Sequence, residues 1–458
     1  MAGDRVDHGA GRSKFRLRQF APGDCAARSF AQDAGPGSCE YRNNSPSLLQ
    51  MNGMRVLMIL GSICLCSSLG AADKSDPPKT VLVHYMPWFA SKPVSGHWGW
   101  HWTMDRFRPD RTGPDGRLEL ASHYRPLIGA YDSSDPDVLE CQVLLMKFAG
   151  ISGVVIDWYG TERFRDYATI HRNSLLLISH LKRAGLKFAV CYEDQTISHM
   201  IAGGRLRSED EVGHGVKEFK WLEKNFFADQ SHVRLRDKPI LLIFGPQHFK
   251  KEQWDRITGS LSSKPRLFTL PHLTSQAKSA GAFGWPPVSG GRKVTPAGWQ
   301  EYLEELYSRQ KGGESIIAPV FPGFHDIYQQ AGVHESFGYL DDEGGRTFGR
   351  TLALAWQSSC ELIQIVTWND YGEGTAIEPT EEFGYRYLEK LQRRIAAGSE
   401  FAYSAEDLHL PVFLYKLRKQ HSGKGAIAPL LTQASRLLFA SRTEEARTVL
   451  MQLRKQKQ

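Results

Sequence analysis

Eight short apolar runs recur along the chain, and the segments between most of them carry a helical pattern. The runs cover residues 80–88, 151–160, 187–195, 239–247, 266–273, 280–285, 315–324 and 362–368. Such runs, rich in Val, Ile, Leu and Phe, are typical of parallel strands that are buried on both faces. Because strand and helix alternate eight times, the sequence predicts a single (β/α)8 TIM barrel of the α/β class.

Helix boundaries between the runs support this alternation. The predicted helices cover residues 135–150, 173–185, 208–227, 295–313 and 345–359. Asp135 and Thr295 are suitable N-cap residues, and Gly150 is a suitable C-terminal residue. The link between the fifth and sixth runs is too short for a helix. The link at 89–131 is long and rich in Trp, Pro and Gly, which favours a binding loop.

The first 72 residues have the pattern of a leader. Residues 51–72 combine a basic start at Arg55, an apolar core and a small-residue end, which predicts a secretory signal peptide cleaved near Ala71 or Ala72. A membrane anchor is less favoured because a spanning helix needs about 20 apolar residues. Residues 1–50 lack apolar periodicity, which fits disorder or an over-extended gene start, so Met51 or Met54 is the preferred start. We therefore expect export to the periplasm or the extracellular space.

After the leader we predict a barrel over residues 73–395 and a C-terminal helical segment over 396–458 that packs on it. Cys141, Cys191 and Cys360 are the cysteines outside the leader, and their wide spacing within or after apolar runs predicts buried thiols. No zinc spacing occurs, so no cofactor or metal is expected. The formal net charge of +7 is mild, without a basic block interleaved with aromatics, so nucleic acid is not an expected partner. The sequence does not define the oligomeric state.

Acidic and aromatic residues collect where the predicted strands end, and such ends meet at one mouth of a barrel. Aromatic rings stack on pyranose faces and carboxyl groups move protons, so these residues favour a carbohydrate substrate. Trp98, Trp100 and Trp102 alternate, as in an edge strand or a binding segment, and we favour binding. The candidates for substrate binding are His84, Tyr85, Trp88, Trp100, Trp102, Asp157, Trp158, Tyr159, Tyr192, Glu193, Trp285, His325, Asp326, Trp368, Asn369 and Tyr371.

Asp370 and Glu373 follow the eighth run, three residues apart and among glycines. Paired carboxyl groups are what cleavage of a glycosidic bond requires, so these two are the candidate catalytic residues. Asp370 has a structural alternative, because an Asp at a strand end also bonds to the backbone of its own loop.

Seven segments together resemble the clan of glycoside hydrolase families 71 and 99, the latter being the endo-α-1,2-mannosidases. They read VLVHYMPWF, HWGWHW, IGAYDSSDPDVLECQ, GISGVVIDWYG, FAVCYEDQ, FPGFHD and WNDYGEGTAIEP, in order from about residue 80 to 380. The resemblance implies a barrel and a retaining hydrolase. The family motif Asn-Glu-Trp-x-Glu-Gly-Thr corresponds here to residues 369–375.

In this resemblance Glu373 matches the family's acid/base. Asp370 matches the Glu proposed to deprotonate the sugar 2-hydroxyl, so that this oxygen attacks the anomeric carbon. Because Asp is one methylene shorter, α-mannoside specificity and turnover both depend on it. The alternatives are a non-catalytic carbohydrate-binding barrel, or, by family analogy, a glycosyltransferase-like protein of polysaccharide assembly.

Overall fold

The computed structural model describes residues 79–114, 116–398, 400–421, 425 and 427–455. The predicted leader, with its signal peptide and candidate start residues, lies outside the described residues, and its assignment stays a prediction.

Eight parallel strands form a closed barrel. They are β1 Thr80–Tyr85, β2 Gly153–Trp158, β3 Lys187–Tyr192, β4 Lys238–Ile243, β5 Arg266–Thr269, β6 Gly281–Phe283, β7 Ser315–Val320 and β8 Leu362–Ile365. Each strand pairs with the next, and β8 pairs with β1 through the register Thr80 to Leu362. The predicted (β/α)8 barrel is therefore confirmed: seven strands lie inside the apolar runs, and β4 begins one residue before its run, at Lys238.

Seven α-helices form the outer layer, and no α-helix lies between β5 and β6. They are α1 Pro136–Ala149, α2 Tyr167–Ala184, α3 Glu211–Leu222, α4 Lys251–Gly259, α5 Pro296–Ser308, α6 Arg346–Gln357 and α7 Arg386–Ala396. Asp135 and Thr295 cap α1 and α5 as expected, by accepting from the amides of Asp137 and Gly298. The predicted start of α2 at Asn173 is wrong, because the helix begins at Tyr167. Asn173 lies inside the helix, where its buried side chain donates to the carbonyl of Pro87 at 2.9 Å.

The remaining elements are short and lie mostly in the loops. Segment 98–102 is not an edge strand, because Trp100–Thr103 forms a helical turn. The other helical segments are Lys92–Ser95, Gln195–Ala202, Ser208–Asp210, Glu223–Phe227, Pro271–Leu273, Arg309–Gly312, Tyr328–Ala331, Glu343–Gly345 and Glu406–Leu408. A small sheet joins Arg292–Val294, Phe324–His325 and Gly338–Leu340, and Arg234–Leu235 pairs with the start of β4.

Three further helices, α8 His409–Gln420, α9 Ala428–Phe439 and α10 Thr443–Lys455, follow the barrel. They pack on the outer helix layer, where Arg418 Nε bonds Glu140 Oε2 of α1 at 2.7 Å and Lys419 Nζ bonds Asp135 Oδ2 at 2.6 Å. Cys141, Cys191 and Cys360 are free and buried, which confirms the predicted thiols. Within the described residues, no helix has both the length and the apolar character needed to cross a bilayer.

Side chains of each barrel strand alternate between the barrel interior and the helix layer. The interior is apolar over most of its depth and is filled by Leu82, Val155, Ala189, Cys191, Ile240, Leu242, Phe268, Phe283, Ile317 and Leu362. Toward the carboxyl ends of the strands it becomes polar, with His84, Asp157 and Gln364 fully or almost fully buried. This polar layer forms the floor of the barrel mouth.

Candidate active site

The loop after β8 holds Asp370 and Glu373 in a tight turn. The amide of Asp370 donates to Thr367 Oγ1 at 2.8 Å, and Asp370 Oδ1 accepts from the amide of Glu373 at 2.9 Å. Gly374 has φ 66°, and a Cβ there would lie 2.3 Å from the carbonyl oxygen of His325, so only glycine fits. The loop therefore fixes both carboxyl groups relative to each other.

Glu373 is held at the barrel mouth from two sides. Its Oε2 accepts from Trp285 Nε1 at 3.0 Å, and its carbonyl accepts from the amide of His325 at 2.9 Å. Burial, followed by the nearby charge of Asp370, raises the pKa of Glu373 well above its usual value, and the bond from Trp285 opposes that shift. The shift favours the protonated form of Glu373, which is the form that a general acid needs.

Asp370 lies in the same buried region but differs in its surroundings. Burial raises its pKa from 3.8 to about 6, and hydrogen bonds from the backbone amides of Glu373 and Gly372 limit the rise. Asp370 is therefore largely ionised at neutral pH, and its charge favours the protonated form of Glu373. Two carboxyl groups whose pKa values are separated in this way can act as base and acid in one reaction.

Two further carboxyl groups complete an acidic cluster with this pair. Burial raises the pKa of Asp157 and of Glu193 well above the usual range, and the two charges repel each other. The charge of Asp370 also raises the pKa of Asp157. Gln195 Nε2 bonds Glu193 Oε2 at 2.8 Å, whereas Asp157 Oδ2 has no hydrogen-bond partner among the described residues.

His84 lies beside Asp157 in the barrel interior. Its Nε2 is 4.0 Å from Asp157 Oδ1, its Nδ1 is 3.5 Å from Gln364 Nε2, and burial lowers its pKa to about 3, so the ring is neutral. Donor atoms of His84, Asp157 and Cys191 lie within 4.8 Å of one another and could hold a metal ion by spacing alone. Burial raises the pKa of Cys191, so the thiol is protonated, which favours a neutral hydrogen-bonding floor.

A cleft of about 730 Å³ opens beside the acidic cluster. Its lining includes Trp88, Trp98, Trp100, Tyr159 and Glu193. The ring of Trp88 is stacked at 4.0 Å on that of His101, which fixes its orientation. A smaller recess, lined by Trp88, Trp100, His101, Met104, Tyr328, Asp370 and Gly372, connects this aromatic surface with the catalytic loop.

Seven predicted substrate-binding side chains do not lie at the cleft but in the core: Tyr85, Trp102, Trp158, Tyr192, Trp368, Asn369 and Tyr371. Tyr85, Trp158 and Tyr192 each follow an inward-facing residue on a strand, so they point outward to the helices. Trp158, for example, is stacked on Trp221 at 5.7 Å. Their assignment to substrate binding is corrected to a packing role.

Several of these residues support the catalytic loop through a buried network around Glu378, which sequence reasoning missed. Glu378 Oε2 accepts from the hydroxyls of Tyr131 and Tyr371, both at 2.9 Å, and Oε1 accepts from Gln142 Nε2 at 2.7 Å. Asn369 Nδ2 donates to the Tyr131 hydroxyl at 3.0 Å. The network joins the loop to α1 and to the first link. The sequence feature that could have indicated this network is Glu378 itself, an acidic residue that directly follows Thr375, Ala376 and Ile377.

His325 and Asp326 lie on the loop after β7, next to the catalytic loop. His325 is stacked on His123 at 3.6 Å, and Asp326 Oδ2 accepts from the amide of Phe337 at 2.8 Å, so Asp326 mainly orders its own loop. Asp326 still lies near enough to raise the pKa of Glu373. Tyr328 was missed because it lies on a short helical turn after β7. Its hydroxyl lies 3.5 Å from the position that a Cβ on Gly372 would take.

A closed parallel barrel with a carboxyl pair at its mouth and an aromatic cleft beside that pair is the arrangement of the carbohydrate-acting TIM barrels. Glycoprotein endo-α-1,2-mannosidase of Rattus norvegicus is 30% identical over an alignment of 337 positions that covers 66% of this chain and 68% of that protein. The chain therefore belongs to the family of the glycoprotein endo-α-1,2-mannosidases, the glycoside hydrolase family 99-like group.

Other similarities are more distant. The uncharacterized protein WxcX of Xanthomonas campestris pv. campestris is 20% identical over 71% of this chain and 51% of its own, so the chain spans about half the length of that relative. The solved family 99 endo-α-mannosidase of Bacteroides thetaiotaomicron has a TM-score of 0.53 at 17% identity, over 70% of this chain and 97% of its own, which shows a shared fold. No protein-family model matches the chain.

Proposed function

We propose that the protein hydrolyses α-mannoside-like linkages in an oligosaccharide or polysaccharide. The observation that carries this proposal is the environment of Glu373, a partly buried carboxyl group with a raised pKa that is bonded to Trp285 and placed beside the ionised Asp370. Its rat relative is named an endo-α-1,2-mannosidase, which agrees with this linkage.

In the proposed reaction Glu373 donates its proton to the leaving glycosidic oxygen as the bond to the anomeric carbon breaks. Asp370 takes the proton of the sugar 2-hydroxyl, and that oxygen attacks the anomeric carbon to form an epoxide-like intermediate. Water then opens the ring: Glu373 takes the water proton, and Asp370 returns its proton to O2. Two displacements at one carbon retain the configuration.

The remaining residues of the mouth have binding roles in this proposal. Trp88 and Trp100 present aromatic faces on which sugar rings stack. Glu193 and Tyr159 line the same cleft with polar groups that suit sugar hydroxyls. Burial raises the pKa of Glu193, which favours the protonated form that offers both a donor and an acceptor.

One contact favours a second candidate function, carbohydrate binding without turnover. Asp370 Oδ1 is already bonded to the amide of Glu373, which is the structural role expected of an Asp at a strand end. Its shorter side chain also places the carboxylate about 1 Å farther from a sugar than Glu would, and such a shift can cost about 100-fold in rate.

Hydrolysis and binding by the same variants separate the two functions. We compare wild type, Glu373→Gln, Asp370→Asn and Asp370→Glu on a panel of α-mannosides and other glycans, with Glu381→Gln as the control because Glu381 is exposed on the same segment. We expect Glu373→Gln to lose at least about 100-fold in rate with binding retained. A wild type that binds sugars and hydrolyses none would support the binding function.

We also propose that the protein acts outside the cytoplasm, on the basis of the signal-peptide pattern in residues 51–72. Expression of the full chain, followed by fractionation and N-terminal sequencing, tests this proposal. An uncleaved cytoplasmic product would refute it.

A further inference from the structure

The outer part of the cleft differs chemically from the catalytic end. Arg165, Thr169 and Arg172 line it: Thr169 and Arg172 lie on α2, and Arg165 lies in the turn just before that helix begins. Both arginines are exposed to solvent. The cleft therefore leads from the acidic cluster, which it reaches at Glu193, to a pair of guanidinium groups.

These arginines have no ion-pair partner among the described residues. Arg165 lies 5.3 Å from the centroid of the Phe164 ring, a contact that leaves its N–H groups free to bond a ligand. Asp166 lies in the same lining, where its Oδ2 is 3.5 Å from His101 Nε2, and burial lowers the pKa of that ring. The single carboxylate of Asp166 can offset at most one of the two guanidinium charges, and in the described part of the cleft wall it forms no salt bridge with either arginine.

Other groups of the wall do not offset this charge. Burial, together with the charge of Arg165, lowers the pKa of His199 to about 4, so the His199 ring is neutral. Burial also raises the pKa of Glu193, which weakens the negative charge at the inner end. The outer end of the cleft therefore presents two guanidinium groups without a salt-bridge partner among the described residues, beside its aromatic surfaces.

A neutral sugar does not require such a pair. Hydroxyl groups are bound well by carboxyl, amide and aromatic groups, whereas the planar guanidinium fork matches carboxylate, phosphate and sulfate oxygens. We propose that the glycan bound in this cleft carries an anionic substituent, which Arg165 and Arg172 recognise at the outer end. This inference rests on the proposed function of the cleft as a glycan site, and it specifies the class of glycan.

Matched pairs of polysaccharides test the inference without requiring turnover. One pair is a phosphorylated α-mannan and the same mannan after enzymatic removal of phosphate. The other is a glucuronic acid-bearing xylan and its carboxyl-reduced form. Binding of the full-length protein to each probe is measured by affinity electrophoresis at low and at physiological ionic strength. The variants are Arg165→Gln, Arg172→Gln, the double variant, and Arg256→Gln as an exposed arginine on α4.

We expect the wild type to bind the anionic member of at least one pair about tenfold more tightly than its neutral form. The double variant loses this preference, Arg256→Gln keeps it, and added salt weakens it. The pair with the larger preference identifies phosphate or carboxylate as the substituent. Thermal unfolding of each variant confirms that it is folded.

Equal binding within both pairs, or binding to no probe, overturns the inference. It is also overturned if Arg256→Gln loses as much as the double variant, because the effect would then be general charge. A wild type that prefers the anionic probes but hydrolyses no glycan of the α-mannoside panel contradicts the proposed hydrolysis and not the anionic substituent. Failure of this inference and failure of the proposed function are therefore distinguishable.

Discussion

Asp370 and Glu373 show how two residues of one loop acquire opposite roles. Asp370 is buried and Glu373 is partly buried, and Asp370 accepts hydrogen bonds from backbone amides of its own loop, which stabilise its charged form. Glu373 instead faces the charge of Asp370, which stabilises its protonated form. The two carboxyl groups differ in pKa because the tight turn between positions 370 and 373 directs backbone amides toward Asp370 and not toward Glu373.

The pH dependence of hydrolysis follows from this difference. Asp370 must lose its proton to act as a base, so kcat/KM is expected to rise as pH increases through about 6. Glu373 must keep its proton, so kcat/KM is expected to fall only above its raised pKa. A pH profile on any hydrolysed glycan measures both limbs. The rising limb disappears in Asp370→Asn, and a flat wild-type profile between pH 5 and pH 7 contradicts the assignment.

Trp285 is expected to position Glu373 and set its acidity. The hydrogen bond from Trp285 to Glu373 Oε2 lowers the pKa of Glu373. The Trp285→Phe variant keeps an aromatic ring but removes this bond, so the pKa of Glu373 should rise. The falling limb of the pH profile should therefore move to higher pH, and kcat should fall about tenfold while KM changes little.

The matched control for this variant is Trp254→Phe. Trp254 is a buried tryptophan whose Nε1 has no hydrogen-bond partner among the described residues. Replacement of Trp254 by Phe changes packing without removing a side-chain hydrogen bond. The falling limb of the pH profile should therefore lie at the same pH as in the wild type. An equal displacement of the falling limb in both variants would show that Trp285 acts through packing alone.

At the scale of elements, the loop after β8 depends on close contact as well as on backbone conformation. Gly374 and Gly384 both have positive φ, but a Cβ on Gly374 meets the carbonyl of His325, and one on Gly384 meets nothing within 4 Å. We expect Gly384→Ala to cost about 1 kcal/mol of unfolding free energy and Gly374→Ala about 2–4 kcal/mol.

Chemical denaturation measures both costs, and only Gly374→Ala should also reduce hydrolysis, since it displaces Glu373. Equal costs for the two variants would mean that the loop relaxes away from His325. In that case the turn would not be what holds the carboxyl pair.

The positions of the strands could be predicted because each is a buried apolar run. Their predicted ends extended too far, since Pro and polar residues beyond the last ladder bond still resemble a strand. The direction of side chains was missed where it depends on register: His84 and Asp157 face inward, so their neighbours Tyr85 and Trp158 cannot. The register becomes known only when the barrel closes.

Loop residues were predictable in type but not in partners. Trp88 and Trp100 were correctly expected at a cleft, whereas Trp102 donates to the carbonyl of Tyr131 in the core. Arg165 and Arg172 carry no motif, and the predicted start of α2 at Asn173 left both of them in a loop, whereas Arg172 lies on the helix and Arg165 in the turn before it. Local sequence does not encode which loop residues face a common space, because that depends on contacts between distant segments.

At the scale of the whole molecule, the acidic cluster links function to stability. Asp157, Glu193, Asp370 and Glu373 all have pKa values raised by burial in the folded protein. The folded state therefore keeps protons that the unfolded chain releases above about pH 4. Their contribution to stability is fully present below that pH and is lost as pH rises through the folded-state values. Asp370 alone, with a rise from 3.8 to about 6, accounts for about 3 kcal/mol of this loss.

The expected result is a Tm that falls as pH increases from about 5 to 8, opposite to the trend that paired surface carboxylates produce at lower pH. Asp157→Asn removes one titrating group whose Oδ2 has no partner to lose, so its Tm should fall less steeply and exceed that of the wild type at pH 8. Asp255→Asn is the control, because the Lys278 ammonium lowers the pKa of that exposed carboxyl and its contribution changes only in acid. Differential scanning calorimetry over this range measures all three proteins. If the Tm of Asp157→Asn instead falls with pH as steeply as that of the wild type, Asp157 is charged in the folded protein. The acidic cluster would then hold one more negative charge at the base of the site than a raised pKa of Asp157 allows.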